Sequence, residues 1–210
     1  PPRSTPLYSS AASDVYKRQI VFSMELINKD SKIQKISKSV LLVILGTIII
    51  TISAKIKIPF YPVPMTMQTF VILLIGITLG YKIGLATVAL YLFEGIIGLP
   101  VFANSPEKGI GVAYFIGPTM GYLIGFLVAV YFAGLFKYDK GLLNTFLKLI
   151  FSVSFIYILG LIWLGTLIGW DKPIFKLGAE PFLLAELFKI LLLLFLTPTL
   201  LKAKKLIKII

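Results

Sequence analysis

Along the chain the apolar residues neither alternate nor scatter. They gather into six windows, at approximately 38 to 56, 66 to 81, 83 to 98, 113 to 136, 145 to 169 and 181 to 201, parted by short segments rich in lysine, proline and glycine. A hydrocarbon layer of about 30 Å is crossed by roughly 20 apolar residues in a helix. Each window therefore predicts a span, and together they predict an all-α membrane protein with a bundle of six transmembrane helices. The second and third windows are short and separated only by Gly80, Tyr81, Lys82 and Ile83, which predicts a tight helical hairpin. In the fourth window Gly117, Gly121 and Gly125 recur every four residues, giving one smooth helix face for close packing.

The polar residues between the windows orient the bundle. Lys29, Lys32, Lys35 and Lys38 precede the first window, and Lys202, Lys204, Lys205 and Lys208 follow the last. Lysines concentrate on the cytoplasmic side of membrane proteins, so both termini are expected in the cytoplasm. Lys82, Lys137 and Lys140 fall in connections on that same side, whereas the opposite loops are diluted by Glu107, Asp171 and Glu180. Ahead of the first window, residues 1 to 23 are polar and without periodicity. They read as a non-native leader or disordered segment, which leaves 24 to 210 as one membrane domain.

Composition narrows the chemistry. The chain has 210 residues, 58% hydrophobic and 14% charged, with a formal net charge of +12. In so apolar a chain the basic balance reflects loop-anchoring lysines, and no nucleic-acid partner is expected; membrane lipid is. With no cysteine and no histidine, thiolate and imidazole nucleophiles and the usual zinc ligands are excluded. No GxxxxGK[ST] sequence occurs, so nucleotide hydrolysis by that route is excluded too. Neither an enzyme, a metal site nor a cofactor is expected. An autonomous secondary transporter would show paired interruptions in two repeats or acidic residues through the inner half, and neither pattern is visible.

Two charges lie where the membrane disfavours them. Glu186 and Lys189 sit inside PFLLAELFKILLLLFL, where a charge costs about 3 kcal/mol on insertion scales. Three residues apart, they share a helix face. Counted from Pro181 at the outer end, they lie roughly 7 and 12 Å deep at 1.5 Å per residue. One reading is an ion pair that merely neutralises itself; the other is an acid and a base offered to a polar ligand in a cavity. Gln68 opens the second window from the same outer side, and Asn104 lies in the outer loop before the fourth. The segments KIKIPFYPVPM (55 to 65) and GLPVFANSPEKGIG (98 to 111) read as shaped loops over the bundle mouth. Glu94 is expected to snorkel to the interface, and Tyr114, Phe115, Tyr122, Trp163 and Trp170 to serve belts and packing.

The ordered motifs PVPMTMQTF (62 to 70), YLFEGIIGLPVFAN (91 to 104), GPTMGYLIGF (117 to 126) and PFLLAELFK (181 to 189) closely resemble the BioY family, the biotin-specific substrate-binding subunits of energy-coupling-factor transporters. The resemblance spans roughly residues 40 to 205. It implies a multi-pass protein of the bacterial cytoplasmic membrane that captures biotin from outside. It also implies a transmembrane coupling subunit and ATP-binding-cassette ATPases as partners, and it implies Gln68, Asn104, Glu186 and Lys189 as ligand-binding residues. Glu186 stands where the family usually has Asp, one methylene longer in reach. The resemblance further points to small residues on the first helix, here Gly46, Thr47 and Thr51, as a docking face for the coupling subunit. The nearest rival is the same architecture serving another vitamin, such as riboflavin or thiamine.

Overall fold

A computed structural model describes the backbone of residues 8–58 and 65–209. Two units are distinguished, Pro1–Leu41 and Leu42–Ile210. The first is helical from Tyr8 onward; the second carries every feature below. Residues 1 to 7 of the expected leader lie outside the described residues, and 8 to 23 fall within the first helix. The elements are α1 (Tyr8–Lys55), β1 (Lys57–Ile58), β2 (Met65–Thr66), α2 (Gln68–Ile96), α3 (Gly111–Phe115), α4 (Met120–Leu135), α5 (Leu142–Ile168), α6 (Ile174–Gly178) and α7 (Glu180–Ile209).

Among the described residues, four helical stretches are long and apolar enough to cross a membrane: Ile33–Lys55, Gln68–Ile96, Leu142–Ile168 and Glu180–Lys202; Met120–Leu135 is a shorter apolar helix. The side chains turned away from the core are themselves apolar, Ile158, Leu183, Leu187, Phe188 and Phe195 among them. In water such a surface would be polar; against hydrocarbon it costs nothing. The same solvent explains the helices, because every backbone N–H and C=O must be paired within the chain.

The chain reverses inside α2. Gly80 adopts φ 78°, ψ 171°, a conformation that is strained for any residue with a Cβ. A continuous helix would hold Gln68 and Tyr91 about 35 Å apart at 1.5 Å per residue. Instead the Gln68 amide donates to the Tyr91 hydroxyl at 2.8 Å, and a Cβ on Gly84 would lie 3.8 Å from Gly76 Cα. The two arms, 68–79 and 81–96, therefore run antiparallel, and the second starts at Tyr81 rather than Ile83. Lys204 of α7 donates to Ile77 O at 2.8 Å, one of the carbonyls left open where the first arm ends.

The arms of α2, together with α4, α5 and α7, enclose a core in which Ile72, Leu73, Ile77, Tyr91, Leu149, Ile156 and Leu193 are fully buried. Small residues set the spacing. A Cβ on Gly121 would lie 2.3 Å from Leu159 O, and one on Gly125 2.6 Å from Ile156 Cα, so α4 and α5 touch backbone to backbone along the expected face. Gly117 does not belong to that helix. The fourth window is split between α3 and α4, with Pro118 in the connection, where it has no N–H to give to a continuing helix. Gly117 O instead accepts the Trp163 indole N–H at 2.8 Å.

One other expectation is corrected. On α1, Gly46, Thr47, Ile50, Ser53 and Ala54 form a buried stripe at helical spacing, while Ile44, Leu45, Ile48, Ile49 and Ile52 face outward. Gly46 packs on Thr87, whose Cγ2 would be 2.5 Å from an added Cβ. Thr47, 2% exposed, bonds back to Ile44 O. Gly46 and Thr47 thus seat α1 on the bundle and are not a free docking face. The loop after α1 begins and ends as a strand pair, with Lys57 opposite Thr66 and Ile58 opposite Met65; its tip, 59 to 64, lies outside the described residues.

The backbone contact of α4 with α5 predicts that Gly125→Val, which forces Cβ and Cγ atoms into Ile156, lowers the thermal midpoint of the detergent-solubilised protein by the equivalent of about 1–3 kcal/mol. Leu143→Val, at a position 73% exposed, is expected to melt with the parent. Differential scanning fluorimetry of the three proteins checks this, and equal midpoints would contradict the packing account.

Candidate functional site

Several of these elements line a cavity of about 690 Å³. Its wall includes Gln68 and Thr69 from the first turn of α2, Ala103 and Asn104 from the loop after α2, Tyr122 from α4, Tyr157 from α5, and Glu186 and Lys189 from α7. Lys57 and Lys108 line it from the strand pair and the loop. Tyr114, Leu123, Phe126, Ile156, Leu164 and Phe182 make the remainder largely apolar and aromatic. All four residues singled out in the sequence, Gln68, Asn104, Glu186 and Lys189, lie on this wall.

The centre of the site is an uneven carboxylate. Glu186 is 3% exposed and Lys189 6% exposed. The Lys189 ammonium donates to Glu186 Oε2 at 3.1 Å and to Thr69 Oγ1 at 2.8 Å. The Thr69 hydroxyl donates to the same Oε2 at 3.0 Å, and the Tyr157 hydroxyl donates to it at 3.1 Å. Three donors thus meet on Oε2, while Oε1 is buried with no partner among the described residues. Breaking such a buried pair costs about 3–5 kcal/mol, because the remaining charge stays buried. The ion pair is therefore built into the fold, yet it leaves one carboxylate oxygen with acceptor capacity unspent.

Gln68 reaches the site indirectly as well as directly. Its Nε2 donates to the Tyr91 hydroxyl at 2.8 Å, and Tyr91 donates to Val101 O at 3.2 Å. A side chain at the start of α2 thereby fixes the loop that carries Asn104. Phe102 plugs the same loop into an aromatic socket, its ring stacked on Tyr114 at 5.0 Å and edge-on to Tyr91 at 5.5 Å. Tyr122 donates to Gly178 O at 2.8 Å, closing the wall between α4 and α6. Lys57 and Lys108, both exposed, have no ionic or hydrogen-bonding partner among the described residues. The lining thus carries three ammonium groups and one carboxylate, and so favours an anionic guest.

Several lining residues escaped the sequence reading. Thr69 and Tyr157 complete the carboxylate cluster, yet a threonine at a helix start and a tyrosine in a span are ordinary there. Thr69 had one available signal, its place beside Gln68. Tyr114 and Tyr122, expected to serve packing, line the cavity. Glu94 is not on its wall, and Trp170 is exposed. No group of three or more His, Cys, Asp or Glu side chains that could hold a metal ion occurs among the described residues.

Comparison with known proteins places this architecture. The chain is 35% identical over 153 residues to the probable biotin transporter BioY of Pyrococcus horikoshii, covering 73% of this chain and 90% of that one. It is 37% identical over 145 residues to the biotin transporter BioY of Thermotoga maritima, covering 69% and 84%. A crystal structure of the S-component for biotin from an ECF-type ABC transporter superposes with a TM-score of 0.65 at 27% identity, over 80% of this chain and 93% of that one. The BioY family profile matches residues 24–206. By that match and these relatives, the chain belongs to the BioY family.

Proposed function

We propose that the chain is the biotin-binding subunit of an energy-coupling-factor vitamin transporter and captures biotin from the outer side of the membrane. The observation that carries this reading is the uneven Glu186 carboxylate on the wall of a largely apolar cavity. Biotin combines a ureido ring, an apolar thioether bicycle and a carboxylate tail. Glu186 Oε1 is the acceptor for a ureido N–H, a charge-assisted bond formed away from water. Lys189 has three donors and spends two on Thr69 and Glu186, which leaves one for the ureido oxygen. Asn104 supplies an amide to the same ring, and Gln68 offers its oxygen while its nitrogen holds Tyr91. The aromatic and aliphatic wall takes the bicycle. At the mouth, Lys57 and Lys108 take the carboxylate.

The topology suits capture from one side. Counting the arms of α2 separately, α1, α2, α4, α5 and α7 are read here as six spans, and the lysines at both ends favour cytoplasmic termini. On this reading the protein is a multi-pass component of the bacterial cell membrane and holds no catalytic machinery. Lacking a nucleotide-binding motif of its own, it relies on a transmembrane coupling subunit and ATP-binding-cassette ATPases for the energy of transport.

Isothermal titration of the detergent-solubilised protein with biotin, riboflavin and thiamine is expected to show binding of biotin alone. Glu186→Gln, which keeps the shape but replaces Oε1 or Oε2 with a donor, should weaken biotin binding by roughly 10–100-fold, the equivalent of one charged hydrogen bond. Undiminished affinity in that variant would remove Glu186 from the site. Replacing both Lys57 and Lys108 with Ala should weaken biotin several-fold but leave the uncharged tail amide of biotin unaffected. Equal losses for the two ligands would place the carboxylate elsewhere.

A further inference from the structure

The last residue of α1 is tied to the cavity although it does not line it. The Lys55 ammonium donates to Phe102 O at 2.8 Å, to Ser105 Oγ at 3.1 Å and, closely, to Ser105 O. All three of its protons are thereby spent on one loop. It is not spent on a carboxylate: the ion pairs among the described residues are Lys172 with Asp171 and Lys189 with Glu186.

The two carbonyls held are those of residues 102 and 105, and what lies between them is Ala103 and Asn104, the two residues of this stretch that line the cavity. The bracketed turn is closed from within by Ser105 N–H and Ser105 Oγ, both donating to Phe102 O, at 3.2 and 2.8 Å. Ser105 is 2% exposed, so without Lys55 its carbonyl would face a largely dry environment without this donor. Phe102 is also fixed by its aromatic socket, and Val101 by Tyr91. Among the described residues no side-chain hydrogen bond or ring contact anchors Asn104. Beyond it the loop relies on turn bonds, Lys108 N–H to Asn104 O at 2.8 Å and Gly109 N–H to Pro106 O at 2.8 Å.

We infer that Lys55 is a positioning residue for ligand binding: by stapling the carbonyls of Phe102 and Ser105 to the end of α1, it holds Asn104 on the cavity wall and slows escape of the bound ligand. The inference rests on the biotin-binding reading for its ligand, not for its geometry. Lys55 touches no part of the cavity, so its effect on affinity passes through Asn104.

The test is a double-mutant cycle on the full chain in detergent, with biotin association and dissociation rates measured by stopped-flow fluorescence. Lys55→Met should weaken binding about tenfold, chiefly by faster dissociation, and Lys55→Arg should restore much of the loss. In an Asn104→Ala background, Lys55→Met should cost less than about twofold. Unchanged rates in the single variant, or the same tenfold loss in both backgrounds, would overturn the inference. Should Lys55→Met fail to fold, Ser105→Ala removes one of the three acceptors and should give a smaller loss with the same dependence on Asn104; an equal loss in both backgrounds would again overturn it. If the parent does not bind biotin, the functional reading fails by itself. Hydrogen exchange of the ligand-free protein then decides the staple: Lys55→Met should speed exchange at residues 101 to 108 at least tenfold while α4 stays protected, and unchanged exchange there overturns it.

Discussion

A carboxylate held in a membrane bundle is the constraint around which the rest of this structure is arranged. Glu186 lies in an apolar helix where an isolated charge is disfavoured by several kcal/mol, so the fold surrounds it with donors. Lys189 comes from the same helix face, Thr69 from the first turn of α2 and Tyr157 from α5. Three helices are therefore tied at one atom. Among the described residues the donors crowd Oε2 and leave Oε1 without a partner, and on the proposed reading a ligand N–H completes that bonding.

Close packing elsewhere keeps that cluster in register. Glycines on α4 let α5 approach to backbone contact, which fixes the height of Tyr157 relative to Tyr122. The reversal at Gly80 brings Gln68 beside Tyr91, and through Tyr91 the chain reaches Val101 and the loop that carries Asn104. The polar residues of the site are thus linked by two short hydrogen-bonded chains. One runs across α2, α5 and α7 to Glu186, and the other from α2 through its second arm to the outer loop. The apolar exterior needs no such bonds, because hydrocarbon is its solvent.

What the sequence made legible follows from cost. Glu186 and Lys189 stood out because charges in a span need a reason, and the short second and third windows pointed to a reversal near Gly80. Gln68 and Asn104, read first from their outer-side positions and again from the family motifs, line the same cavity as that charged pair. Cheap features stayed hidden. Tyr157 and Thr69 are compatible with any span, so nothing in their type announces that they share Oε2. Lys55 looked like one more loop lysine, since only the folded loop brings the oxygens of residues 102 and 105 to it. A hydropathy window also passes over a break such as that between α3 and α4, because the connection, Ile116 to Thr119, is only four residues long and carries no charge. Gly46 and Thr47 show the converse error: small residues do mark close packing, but not which neighbour is packed.

The central claim is that the ureido head of biotin binds at the Glu186 cluster with the tail toward Lys57 and Lys108. A crystal structure of the protein with biotin bound tests it most directly. The account predicts a ureido nitrogen within hydrogen-bonding distance of Glu186 Oε1, with Thr69, Tyr157 and Lys189 still gathered on Oε2. A ligand seated the other way, with its carboxylate on Lys189 and its ureido ring at the mouth, would contradict it.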